Sequence, residues 1–226
     1  MELNADFTQR VVVHSDALEW LASPIAGVDR RMLDRIGDEV ARATTIVRYA
    51  PGSQFSPHVH GGGEEFIVLE GVFSDEHGDF PAGSYIRNPP TSRHTPGSAL
   101  GCVIFVKLWQ FDPEDRTPVM IDMNKMGSVL DATRPGVSIM PLFQDERGTV
   151  QLEQWPAHAQ IELPLADGGE FLVLGGGFEE SGDQLRERSW LRLPRGGHLH
   201  AKAGPQGARV WVKTRHLRFV EAPSAA

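Results

Sequence analysis

Residues 52–71 read GSQFSPHVHGGGEEFIVLEG, and their order decides how the rest of the chain is read. Two histidines one residue apart, His58 and His60, are followed by three glycines, two glutamates, an apolar run and a closing glycine. In a β-strand the side chains at i and i+2 share a face, so the two imidazoles point together and Val59 points away. The glycines allow backbone conformations that other residues resist, which lets the chain turn back so that a glutamate can meet the imidazoles. Downstream, PAGSYIRNPPTSRHTPGS (residues 81–98) brings His94 after a proline-rich bend. Three imidazoles and a carboxylate form a donor set suited to Zn, Fe, Mn, Ni or Cu.

The same stretch recurs. Residues 63–74, GEEFIVLEGVFS, are echoed by residues 168–179, GGEFLVLGGGFE, at an offset of 105. At that offset Gly63, Glu65, Phe66, Val68, Leu69, Gly71, Phe73, Ser84, Arg87 and Pro89 are repeated. Thr44 falls on Thr149 and Pro51 on Pro156, while Tyr85 and Ile86 fall on Trp190 and Leu191. Each copy consists of short β-rich segments separated by Gly, Pro and Asp, a pattern of sandwiches and barrels. In copy one these are RATTIVRYA, EEFIVLEGVFS, GSYIRNP and GCVIFVKLWQF; in copy two, TVQLEQW, EFLVLGGGFE, SWLRLP and ARVWVKTRHLRF. FDPEDRTP (residues 111–118), polar with two prolines, reads as the linker. The expectation is therefore an all-β chain of two tandem barrels, residues 1–114 and 115–226. The single helical turn expected is SDALEWL, capped by Ser15 or Asp16.

The spacing G-x5-H-x-H-x3-E-x6-G, met by Gly52, His58, His60, Glu64 and Gly71, resembles the first cupin motif. PAG, with His94 eleven residues after Gly83, resembles the second. The resemblance implies a double-stranded β-helix (jelly-roll) barrel with a metal held inside by His58, His60, Glu64 and His94. More narrowly, HVHGGGEEFIVLEGVFSDEHGDFPAGSYIRNPP and GCVIFVKL resemble the cupin half of the ChrR anti-sigma factors, over roughly residues 28–110. That resemblance implies zinc and a regulatory role in a transcriptional stress response. Dioxygenases related to acetylacetone-cleaving enzymes share much of the pattern and imply instead Fe, Mn or Ni and a small organic substrate.

The duplicate acts as an internal control. His58 falls on Leu163, His60 on Leu165, Glu64 on Gly169 and His94 on Leu199, so the four candidate ligands vanish together while scaffold positions beside them persist. Glu65 survives as Glu170 in the copy without histidines, which marks it as structural and Glu64 as the ligand. One metal ion, in the first barrel only, is the expectation, with zinc ahead of Fe, Mn and Ni. His198 and His200 flank Leu199, the counterpart of His94, and on a strand would face away from the interior. They are read as surface residues, His77 in SDEHGD as a solvated turn, and Cys102 as a small buried apolar residue. Asn88 is a candidate pocket group, whereas Arg87 and the aromatic at 85 recur without metal and read as structural.

Composition bounds the partners. A net charge of −8 without a Lys/Arg cluster argues against a nucleic-acid face. The single cysteine excludes an internal disulfide framework or a zinc finger. The start of the chain has no signal-peptide pattern and no apolar run reaches 18 residues, so a cytoplasmic protein off the membrane is expected. ChrR inhibits its sigma factor through a separate helical zinc domain, whose histidine and cysteine pattern is missing ahead of the first clear strand here. Sigma-factor binding is thus not carried over by motif. A sigma factor or other regulatory protein, a small-molecule ligand and a homodimer all stay open as partners, as does an enzymatic role.

Overall fold

The computed structural model describes residues 1–38 and 40–223. Strands joined by turns and loops make up the described chain, and its only helical segments among the described residues are two three-residue 3-10 turns, Ser15–Ala17 and Leu217–Phe219. Among the described residues, no helix is long and apolar enough to cross a membrane. The stretches expected as strands are strands: Ala41–Tyr49, Glu64–Asp75, Ser84–Asn88 and Cys102–Leu108, then Thr149–Trp155, Gly169–Glu180, Ser189–Leu193 and Gly197–Thr214. The turn at Ser15 is shorter than expected and no side chain caps it. The Ser15 hydroxyl is instead buried and donates to the Arg188 carbonyl at 2.7 Å.

The chain forms two compact units, each around its own antiparallel sheet. In the first, the order is Glu2–Leu3, Val28–Gly37, Ala41–Tyr49, Cys102–Leu108, Glu64–Asp75, Ser84–Asn88, Val119–Asp122. In the second it is Val129–Leu130, Ser138–Gln144, Thr149–Trp155, Gly197–Thr214, Gly169–Glu180, Ser189–Leu193, Val11–His14. The two orders correspond strand for strand, so the sequence duplication is a duplication of topology.

The unit boundaries differ from the expected division at 114/115. Val119–Asp122 pairs with Ser84–Asn88 in the first unit, whereas Val11–His14 pairs with Ser189–Leu193 in the second. Val119 faces Arg87 as Val11 faces Arg192, so these are equivalent strands, each completing the sheet of the other copy. Unit one consequently runs from Glu19 to Lys125 with residues 1–5 and 221–223, and unit two takes Asp6–Leu18 and Met126–Val220. The recurrent arginine anchors each entering segment. Arg87 stacks 4.2 Å over Phe111 and donates to the Thr117 carbonyl, and Arg192 stacks 3.8 Å over Phe7 and donates to the Asp6 carbonyl. The supposed linker is thus held against the first sheet.

The offset of 105 holds through the candidate site but not everywhere. Lys107 faces Glu65 and Lys213 faces Glu170, an offset of 106, and the same shift pairs Thr44 with Val150 rather than Thr149. Phe66, Val68, Phe73, Ile86, Ile104 and Val106 form the core of the first unit. Phe171, Val173, Phe178, Leu191, Val210 and Val212 lie at the heart of the second. Gly71 shows why a glycine stands at this position in both copies. Its φ is +69°, and a Cβ there would lie 2.0 Å from the Gly101 carbonyl oxygen; Gly176, at φ +64°, meets Gly207 in the same way.

Candidate metal centre

In a separate two-stranded sheet, the two-residue strands His58–Val59 and Arg93–His94 pair antiparallel, with His58 directly facing His94. His60 and Glu64 lie on either side of the glycine loop that follows. Of the four sequence-predicted residues, the structure gathers the three histidines into one cluster and sets Glu64 against His60 and His94. One ring nitrogen from each of His58, His60 and His94 lies within 4.8 Å of the others. His60 Nε2 is 3.2 Å from His94 Nε2 and 3.3 Å from Glu64 Oε2, and His94 Nε2 is 3.7 Å from the same oxygen. His60, Glu64 and His94 are buried, while His58 is exposed at the rim.

These separations fit a shared ion. Ligands about 2.0–2.1 Å from one metal are about 3.0–3.4 Å from each other; the separations of 3.2 and 3.3 Å at His60 match that spacing, and the 3.7 Å between His94 and Glu64 is a few tenths longer. The opposite ring edges are held by oxygen. His60 Nδ1 lies 2.9 Å from Ser92 Oγ, His94 Nδ1 3.2 Å from Asp75 Oδ2, and His58 Nδ1 3.3 Å from the Ser56 carbonyl. Asn88 Nδ2 donates to Glu64 Oε2 at 3.2 Å. Such partners set ring orientation and raise ligand basicity. Asn88 was legible as a pocket group. Asp75 and Ser92 were not, because nothing in SDEHGD or TSRHT states which residue a hairpin will press against an imidazole.

Burial and charge tune the four groups unequally. For His60, burial lowers the pKa below its ordinary value and neighbouring His94 and His58 add to that, outweighing Glu64. For His94, burial also acts downward, but the hydrogen bond with Asp75 and the charge of Glu64 raise it on balance. Asp75 itself is opposed by burial, yet its bonds to His94 and the His77 backbone keep it below the ordinary carboxylate range. Glu65 points elsewhere and accepts from the buried Tyr85 hydroxyl at 2.7 Å. Glu170 does the equivalent with Trp190 Nε1, at 3.2 Å.

The three glycines have two different reasons. Only Gly63 needs positive φ, at +77°. Gly61 and Gly62 are small because Trp109 lies on them: a Cβ would come within 3.0 and 2.3 Å of the indole. Trp109 is itself at φ +59°, a conformation uncommon for a bulky residue. Its indole therefore covers the loop joining two candidate ligands, a role the sequence did not reveal. Cys102 is buried, and burial pushes its thiol up to about 11, in keeping with an apolar rather than reactive role.

Residues 8–112 match the model of the ChrR cupin-like domain family. No curated protein matches the chain. Among solved structures, a candidate dioxygenase from Nostoc punctiforme superposes with a TM-score of 0.78 at 16% identity, covering 97% of this chain and 87% of that one. A bacterial pirin from Escherichia coli, in complex with nickel(II), gives 0.65 at 14% identity over 91% of this chain and 98% of its own. The formate complex of Lactobacillus farciminis oxalate decarboxylase gives 0.63 at 9% identity over 90% and 85%. At these identities the likeness establishes the cupin fold alone.

Proposed function

With residues 8–112 assigned to the ChrR cupin-like domain family, we propose that the chain is a two-barrel cupin holding one divalent metal inside its first unit. His58, His60, Glu64 and His94 are the ligands. The observation that carries this is the convergence of His60 Nε2, His94 Nε2 and Glu64 Oε2 within 3.7 Å, with the far ring edges already occupied. Four protein donors satisfy tetrahedral zinc completely, which suits a sensing or structural role over catalysis. We therefore read the protein as a regulatory metal-binding module of a stress response, acting on a regulatory protein or reporting a small molecule. A sigma factor is one candidate for that regulatory protein, though the cupin likeness by itself does not carry the sigma-binding domain.

A second reading rests on the fold likeness to the candidate dioxygenase and on the rim position of His58. With an octahedral Fe, Mn or Ni ion, four protein ligands leave two places for substrate and dioxygen. In that case Asp75 and Ser92 would orient the rings and Trp109 would hold the ligand loop, while the metal would supply Lewis acidity and electron transfer. The deciding experiment is elemental analysis of untagged protein purified without chelators, followed by dioxygen uptake with small diketone substrates. Zinc and no uptake supports the regulatory module. Iron, manganese or nickel with uptake supports the enzyme. A chain purified and reconstituted without any stoichiometric metal would sink both.

A further inference from the structure

The outer face of the second unit carries a separate set of metal-binding side chains. Along Gly197–Thr214, Leu199 is fully buried and His198 and His200 on either side are exposed. The two rings therefore share one face and stack, with centroids 4.2 Å apart and planes 15° from parallel. Across the antiparallel ladder, His200 is the direct partner of Glu162, whose Oε1 lies 4.0 Å from His200 Nδ1. One donor atom from each of Glu162, His198 and His200 lies within 4.8 Å of the other two. We propose that these three residues form a second divalent transition-metal site, facing solvent and independent of the interior one.

Three observations favour a site over chance exposure. First, the donors are fixed to a rigid two-strand ladder at i, i+2 and the cross-strand position, so only side-chain rotations separate their present spacing from coordination. All three are exposed, so those rotations disturb no core packing. Second, the positions 105 residues earlier hold Pro57, Arg93 and Thr95, none of which would bind a cation this way. Ligand-type residues thus appear on the outside in the copy whose interior has lost them. Third, the nearby charges do not forbid a cation. Lys202 continues the same row, but Glu179 faces it across the ladder. Two imidazoles and a carboxylate select zinc, nickel or copper over magnesium and calcium. With three exposed donors, the ion would keep water in its remaining positions and exchange faster than one held by four donors in the interior.

The test is a zinc titration of the purified full chain, followed by calorimetry and by NMR of the histidine rings. The expected result is uptake of one equivalent beyond any interior metal, with the His198 and His200 ring signals shifting together. His198→Ala and His200→Ala should each abolish that equivalent, and Glu162→Gln should weaken it, all without changing the far-ultraviolet spectrum or the interior metal content. Failure of the interior site would leave the His198 and His200 shifts unchanged, so the two readings fail separately. The proposal is overturned if zinc up to millimolar moves neither ring. It is equally overturned if the His198→Ala, His200→Ala double variant binds the same number of equivalents as the wild type.

Discussion

One cross-strand pairing occurs twice in this molecule with opposite chemistry. In the first unit His58 faces His94, and in the second Leu163 faces Leu199. The backbone register is shared; the interior is not. Leu165 and Leu199 belong to the apolar core of the second unit, with Leu163 packed against it. Gly169 stands where the first unit has Glu64, and a Cβ there would come within 3.0 Å of Leu165 Cδ2. Leu165 thus crowds the position from which a carboxylate would have to extend. The same backbone register thus accommodates either a cluster of metal-binding side chains or apolar contact. The contrast also shows why the change goes as a set: a lone carboxylate against leucines would be a buried, unpaired charge.

The largest effect expected from breaking the comparison is at the facing pair. His94→Ala should remove a central donor and reduce metal affinity by orders of magnitude, whereas Leu199→Ala should leave metal content alone. The second change should instead cost about 2–5 kcal/mol through the cavity it leaves. Elemental analysis and chemical unfolding of both variants check this; equal metal loss in the two would end the assignment.

Chelation should act next most strongly. An ion that binds only the native first unit stabilises it by about 2.7 kcal/mol at a hundred times its dissociation constant. Calorimetry of the chelated chain should show the transition of the first unit shifted downward and that of the second nearly unmoved. A single transition that shifts as a whole would show that the exchanged strands make the units melt together.

Asp75→Asn keeps every donor and changes only what holds the His94 ring. Metal affinity should fall about 10- to 100-fold, while Glu65→Gln, beside a ligand but bonded to Tyr85, should retain it. Metal loss with Glu65→Gln but not with Glu64→Gln, measured by elemental analysis, would exchange the roles of the two glutamates.

The smallest effect is in titration order. In metal-free protein His94, raised by Asp75 and Glu64 against burial, should keep its proton to higher pH than His60, which burial lowers. Because the metal must displace the His94 proton, affinity should fall as the pH drops through the His94 transition. Ring NMR across that range reads both; His60 protonating first on acidification would contradict the Asp75 contact.

Much of the site was legible because its information is local. The i, i+2 spacing of His58 and His60, and of His198 and His200, sets which side chains share a face wherever a strand forms. The duplicate then separated Glu64 from Glu65 without coordinates, since a residue kept in the copy without ligands has another use. Val28–Gly37 has no strand signal of its own, because VDRRMLDRIG is charged along much of its length and becomes a strand by pairing with Ala41–Tyr49 on one edge and with Glu2–Leu3 and Leu21–Ala22 on the other.

The all-β character, the duplication, the candidate donor residues and their replacement in the second copy can all be read from the chain alone. Each follows from residue type, spacing along one strand, or comparison of the chain with itself. Only the tertiary structure decided that Val11–His14 completes the second sheet and Val119–Asp122 the first. A four-residue apolar strand fits any free edge, and which edge it takes depends on where the chain entering it is held. The same reason places Asp75 behind His94, Trp109 over the glycine loop and Glu162 beside His200. These contacts join residues distant in sequence or on different strands, and no local pattern encodes which of the available neighbours folding will choose.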